Sequence, residues 1–411
     1  MIRLKKRIKQ IIKTVFPNLF LLFKKIKKIF KRKKTIIVTE MASEGQSNKW
    51  ALLSYLTPGV QLSEDDPIFN SHSNLWENHE IFKILLELGY NVDVINWDDD
   101  RFIPNKSYDL VIDICYNLAR LKPFLRPDTL KLLHCTGSDP FYQNAAEIAR
   151  VVKVNLDRKS DYSPKRLVED PELAERSILE SDYISLLGNE HTKKTYPEIV
   201  HSKITLIPVT NSVLNQNIKQ PDDFLPEERQ FLWFFGAGAV HKGLDIVLTV
   251  FKQHPEYTLN IVGGVAENEP DFITIFSEEL FNTPNIHYYG SLVPSSNEFK
   301  NILNRSFCFL APTCSEGISP AVVTCMQIGL YPIISHDTGV DLPKGCGIYL
   351  SDLSHATLES SIEHLTHLTD KDTQAQIKQC QTYALINYSR ENFSQKMKKY
   401  ITQCMLDKCI Q

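Results

Sequence analysis

A chain of 411 residues with 43% hydrophobic and 23% charged side chains is long and apolar enough to bury two cores, which excludes a disordered chain and a single small domain. The formal net charge is only −3, from 46 Lys and Arg against 49 Asp and Glu, yet the charges are unevenly placed. Nine cysteines occur with no C-x-x-C pair, which argues for reduced core thiols over disulfides or a zinc site.

Residues 1–34 contain fourteen Lys or Arg and no Asp or Glu, leaving 32 basic against 49 acidic side chains in the remainder, or −17. Apolar positions such as Ile8, Ile11, Ile12, Val15 and Phe16 recur at helical spacing between the lysines, the pattern of a basic amphipathic surface helix interrupted near Pro17. The expected partner is an anionic membrane surface, where each nearby cation is worth up to ~1 kcal/mol. A signal peptide does not fit, because the apolar stretch Val15–Phe23 runs through Pro17 into Lys24 and Lys25 without a small-residue cleavage site. A spanning helix would need about 20 apolar residues. Nucleic-acid phosphate is the remaining alternative, and the interleaved Phe, Ile and Leu favour lipid over it.

From Thr35 the grammar changes to strands separated by helical stretches. Strands are predicted at Thr35–Thr39, Asn91–Trp97, Leu110–Cys115, Leu130–Cys135, Tyr183–Leu187 and Ile204–Val209, with a helix near Leu75–Leu88. That order implies a parallel sheet with right-handed crossovers, a Rossmann-like domain over 35–209. Loops after the strands of such a sheet face the ligand cleft. His134, near the carboxyl end of its strand, and Thr136, in the turn that follows, are therefore acceptor-side candidates, with His72 and His79 as weaker ones. Asp98-Asp99-Asp100 has the D-x-D pattern of manganese-held nucleotides, but a charged turn explains it more simply and no metal ligand is assigned. Residues 210–229, rich in Asn, Gln, Pro and Asp, read as a linker.

The second domain is expected over 230–385. An aromatic-rich strand, Gln230–Gly236, is followed by Ala237-Gly238-Ala239-Val240-His241-Lys242-Gly243 and a helix from Leu244 to about His254, then a strand at Thr258–Val262. The loop amides and the helix N-terminus are expected to form an anion site, with Gly236 and Gly238 shaping the loop, Lys242 adding a full charge and His241 beside it. Further strands are predicted at Ile286–Tyr289 and Phe307–Leu310. The second of these leads into a loop holding Glu316, after which Ser319, Pro320 and Gly329 suit the N-cap, first position and C-cap of a short helix. Glu316 thus sits at the carboxyl end of a strand.

These two segments, 74 residues apart from Lys242 to Glu316, resemble in order and spacing the donor site of retaining glycosyltransferases of GT-B fold, family four, the group 1 glycosyltransferases. In that family a Gly-Arg pair precedes the Lys-Gly pair, and two Glu flank seven residues. Lys242-Gly243 and Glu316 match, whereas Ala237 stands at the Arg position and Thr324 at the second Glu. The resemblance implies two Rossmann-like α/β domains, with a last helix over 386–411 packing back on the first domain. It also implies a nucleotide-diphosphate sugar as co-substrate, no other cofactor and no metal. Lys242 and Glu316 would be catalytic, with Gly236, Gly238, His241 and Thr324 also on the donor; a family histidine comparable to His134 touches the donor sugar. With the basic segment, the resemblance suggests a cytoplasmic enzyme peripheral on the inner membrane face that transfers sugar to a glycolipid or saccharide, with no nucleic-acid partner. Two alternatives stay open: a non-catalytic membrane adaptor that keeps a degenerate fold, and a nucleotide-sugar epimerase.

Overall fold

In the computed structural model, residues 35–42, 47–71, 73–210, 218–293 and 296–410 are described. The basic segment 1–34 and His72 lie outside them. Residues 38–411 constitute one compact unit, which contains two sheets; Met1–Ile37 are a separate unit.

The first sheet comprises β1 (Val38–Glu40), β2 (Trp50–Tyr55), β3 (Asn91–Asn96), β4 (Leu110–Asp113), β5 (Leu130–Cys135), β6 (Tyr183–Leu187) and β7 (Ile204–Ile207), in the order β1-β3-β2-β4-β5-β6-β7. Every pairing is parallel except β1 with β3. Two expectations are corrected here. The strand foreseen at Thr35–Thr39 begins at Val38 and is a short antiparallel edge, while β2, an interior strand between β3 and β4, is one that periodicity misses. Ala51 to Tyr55 are all buried, and a strand covered on both faces shows no alternation to betray it.

The second sheet is parallel throughout: β8 (Gln230–Phe234), β9 (Leu259–Val262), β10 (Ile286–Tyr288), β11 (Ser306–Ala311), β12 (Tyr331–Ser335) and β13 (Ile348–Leu350), ordered β10-β9-β8-β11-β12-β13. All six positions of β11 are buried, as its unbroken apolar run requires of a central parallel strand. Residues 218–229, within the stretch read as linker, pack on this domain: Phe224 is buried, and Lys219 donates its amide to the Ile328 carbonyl at 2.8 Å.

Six helices matter for the site: α1 (Ser73–Glu87), α2 (Pro140–Arg158), α3 (Leu244–Gln253), α4 (Pro320–Ile328), α5 (Asp370–Asn387) and α6 (Arg390–Ile410). The Asp139 carboxylate caps α2 by accepting from the amides of Phe141 and Tyr142 at 2.9 and 3.2 Å, with Pro140 at the first position. This helix belongs to the first domain but binds the second, through Arg150 to Asp245 at 2.5 Å and Arg158 to Glu279 at 2.8 Å. α6 returns to the first domain. Its Phe393 ring lies 5.9 Å from Trp76, and Lys398 pairs with Glu87 at 2.9 Å. Eight cysteines are described, all as free thiols, seven of them buried.

Candidate functional site

Parallel strands send all their following loops to one side, so the carboxyl ends of the two sheets can share a cleft. A cavity of about 470 Å³ opens there. Trp97, Tyr116, Thr136 and Ser138 line it from loops after β3, β4 and β5, and Ser315 and Glu316 from the loop after β11.

Two glycines bring the second-domain loops together. Gly243 has φ +71°, and a Cβ there would stand 2.6 Å from Pro312 Cγ and closer still to the Pro312 carbonyl, so only glycine lets the β8–α3 loop lie against the end of β11. Gly317 plays the matching part toward the first domain, where a Cβ would meet the carbonyls of Thr136 and Leu187. The result is an ion pair between Lys242 Nζ and Glu316 Oε1, with both side chains largely buried. Burial first, and the charge of Arg166 second, hold the Lys242 pKa well below its ordinary value. Its ammonium therefore depends on an anionic partner. The Lys242 carbonyl is fixed by Trp233 Nε1 at 3.1 Å, and the Glu316 carbonyl accepts from Ser138 Oγ of the first domain at 2.5 Å.

The expected amide nest is already occupied. Glu269, 1% exposed, takes the amides of Gly238 and Ala239 with its carboxylate, which is also bound by the Tyr162 hydroxyl. At the start of α3, the amide of Leu244 donates to the Ala239 carbonyl at 2.9 Å, and those of Ile246 and Val247 to the Gly243 carbonyl. The amides of Gly238, Ala239, Leu244, Ile246 and Val247 are thus already paired within the protein, which narrows the anion site the sequence suggested at this helix N-terminus.

Residues 215–341 match the family model of glycosyl transferases group 1, a stretch that includes both Lys242 and Glu316. Its second domain is that of a group 1 glycosyltransferase. Over nearly the whole chain the fold resembles a sucrose-phosphate synthase from Thermosynechococcus elongatus, with 13% identity, 87% of this chain and 100% of that one covered, and a TM-score of 0.63. HepE of Anabaena in complex with UDP and glucose follows at 11% identity, with 86% and 99% covered and a TM-score of 0.52. The catalytic domain of starch synthase IV from Arabidopsis thaliana, bound to ADP and acarbose, gives 12% identity, 84% and 78% covered and a TM-score of 0.50. At such identities the likeness is one of fold, and the fold is GT-B. None of the curated protein sequences matches the chain.

In this glycosyltransferase the residues singled out by sequence divide into three groups. Lys242 lies behind Glu316, paired with it, and Glu316 and Thr136 line the cleft. His241 borders it, but both ring nitrogens are engaged, Nδ1 with the Glu147 carboxylate at 2.6 Å and Nε2 with the Ser315 carbonyl at 2.5 Å, so the ring joins the domains and has no nitrogen left for a donor. Burial lowers its pKa while Glu147 opposes that shift. Gly238, with φ +92°, packs under the Arg166 stem, and Gly236 is exposed at the loop's start.

His134 and Thr324 do not reach the cavity. β5 turns Leu133 and Cys135 to the cavity, and the period of two turns His134 the other way. There it is 0% exposed, with Nδ1 on Ser185 Oγ at 2.9 Å and its ring edge-on to Tyr55 and Phe393. Burial pushes its pKa down to about 4, so it is a neutral packing residue rather than an acceptor-side one. Thr324 is buried inside α4, away from the cavity lining. His79 is bound to the Gly59 carbonyl at 3.1 Å and to Glu64 at 3.2 Å. Asp99 accepts from the Arg101 amide at 3.0 Å, in a turn, and no cluster of three metal-ligating side chains occurs among the described residues. Sequence reasoning missed Glu147, Arg166 and Glu269, although Asp139-Pro140 ahead of an amphipathic stretch was signal enough to find α2, which carries Glu147.

Proposed function

We propose that this glycosyltransferase moves a sugar from a nucleotide-diphosphate donor to a saccharide or glycolipid acceptor, retaining anomeric configuration and using no metal. The observation that carries the reading is the Lys242–Glu316 pair, whose Glu316 lines a cavity walled by both domains. A diphosphate entering the cavity would replace Glu316 as the counter-ion of Lys242. Lys242 then stabilises charge developing on the leaving diphosphate, and Glu316, released, accepts hydrogen bonds from the donor sugar. Thr136 and Ser138 face the same space from the first domain and suit an acceptor hydroxyl. Reaction on one face needs no carboxylate nucleophile, and none is assigned. HepE in complex with UDP-glucose, and starch synthase IV bound to ADP and acarbose, support a nucleotide sugar and a saccharide as the substrate classes.

No helix among the described residues is long and apolar enough to cross a membrane. Attachment to the inner face of the cytoplasmic membrane, and a role in building surface polysaccharide or glycolipid, rest on the basic composition of residues 1–34.

The test is a panel of UDP-, ADP- and GDP-sugars with saccharide acceptors in EDTA, followed by analysis of the product anomer. One donor should support transfer. Lys242→Ala should cut kcat/KM by roughly thirtyfold to a thousandfold, the loss of about 2 to 4 kcal/mol of transition-state stabilisation. Transfer at near wild-type rate by the folded variant, or activity lost in EDTA and restored by manganese, would overturn the assignment.

A further inference from the structure

The cations around the cleft are matched one by one except Arg166. Lys242 pairs with Glu316, His241 with Glu147, and Lys165 with Asp271 at 3.4 Å. Arg166 lines the cavity from the first domain, and its guanidinium makes no hydrogen bond or ion pair among the described residues. Its backbone, in contrast, is held firmly: the amide donates to Glu147 Oε1 at 2.9 Å and the carbonyl accepts from Gln143 Nε2 at 2.5 Å. The stem crosses the β8–α3 loop at Gly238, where a Cβ would stand 2.7 Å from Arg166 Cγ and 3.1 Å from Cδ. Glycine at that position gives the arginine its path.

We infer that Arg166 is a ligand of the donor diphosphate, supplied by the first domain to a site otherwise built on the second. The inference rests on the donor reading proposed above. Three observations converge on it. Two of the loop amides that could have held phosphate, those of Gly238 and Ala239, are taken by Glu269, which shifts that task toward side chains. Arg166 is near enough to Lys242 for its charge to oppose protonation there, so an anion between the two cations would relieve their repulsion. A planar guanidinium binds two phosphate oxygens at once, which a lysine ammonium does not. Glu147 ties the arrangement together: one carboxylate oxygen holds the amides of Lys165 and Arg166, at 2.6 and 2.9 Å, and the other holds His241, next to Lys242. The two cations are thereby set in register across the domain boundary, and the diphosphate site is complete only while the domains are together.

Calorimetric titration of the full chain with UDP, ADP and GDP, and with the parent nucleosides, tests this. With the diphosphate that wild type binds best, Arg166→Ala should weaken binding about tenfold to a hundredfold, the scale of hydrogen bonds to a charged group. Binding of the parent nucleoside should be unchanged. Lys165→Ala, which removes a neighbouring charge already paired with Asp271, should leave diphosphate binding within about twofold of wild type. If wild type binds a diphosphate and Arg166→Ala binds it equally, or if Lys165→Ala weakens it as much, Arg166 is not a ligand and the donor reading stands. A parallel loss for nucleoside and diphosphate would make the role structural and sink the inference. If wild type binds none of the three diphosphates, the donor reading falls and Arg166 with it.

Discussion

Glu77 is a carboxyl group in α1 with 1% exposure, accepting from the amide and hydroxyl of Thr210 at 3.0 and 3.2 Å, where the chain leaves the first domain. Burial raises its pKa from 4.5 to about 7, against the smaller lowering by Thr210 and Arg390. The folded protein therefore holds this proton more tightly than the unfolded chain. The stability it contributes is fully present below about pH 4.5 and is lost as pH rises through 7. His134 has the opposite sign: with its pKa down from 6.5 to about 4, its contribution is present above 6.5 and lost as pH falls through 4. Between those limits the two partly cancel, so the Glu77 effect is read best by difference. Glu77→Gln should keep the Thr210 bonds, and urea unfolding at pH 5 and pH 8 should show wild type losing about 3 kcal/mol relative to the variant. Equal change in both proteins would mean that Glu77 does not titrate in this window. At this scale Lys242 and Glu316 could be singled out because residue type and neighbouring turn residues are local properties. The fate of His134 was not, because which face of β5 meets the cavity depends on the opposite domain.

Among the elements, the loop after β11 carries the tightest restriction. Gly317 approaches two first-domain backbones at once, and a methyl group would sit 2.7 Å from the Thr136 carbonyl and nearer to that of Leu187. Backbone cannot yield as a side-chain end can. Gly317→Ala should therefore leave both sheets intact, with an unchanged circular dichroism spectrum, while holding the domains apart. The expected result is a larger radius of gyration by solution scattering and a kcat/KM reduced about tenfold or more, since an ångström of misplacement in a catalytic site has a large effect. A variant as compact and active as wild type would show that the loop absorbs the methyl group. Elements with local signals were legible: β8, β11, α3 and α4 fall where apolar runs, glycines and the Ser319-Pro320 pair put them. β2 was not, because a strand buried on both faces has no period of its own, and the occupied loop amides were not, because Glu269 arrives from 30 residues away.

For the whole molecule, the total charge of −3 conceals a basic segment attached to a remainder of −17. Removal of residues 1–34 should leave a folded protein that still binds nucleotide, since β1 begins at Val38. Cosedimentation with anionic vesicles should be lost. Binding of the intact chain should weaken as salt is raised, because exposed charges are screened within ~8 Å at physiological ionic strength. Equal binding to neutral and anionic vesicles would exclude the electrostatic account, as would unfolding of the shortened protein. The sequence by itself determined the two parallel-sheet domains and the order of the two segments that carry Lys242 and Glu316, because strand, turn and cap signals are short-range and survive without the fold; that the two side chains pair was decided by the fold. Tertiary structure alone decided which side chains face the cleft, that Glu269 fills the amide nest, that His241 bridges to Glu147, and that Arg166 of one domain lies over Gly238 of the other. Each of these is a contact between segments far apart in the chain, set by how two sheets dock, and no local pattern encodes it.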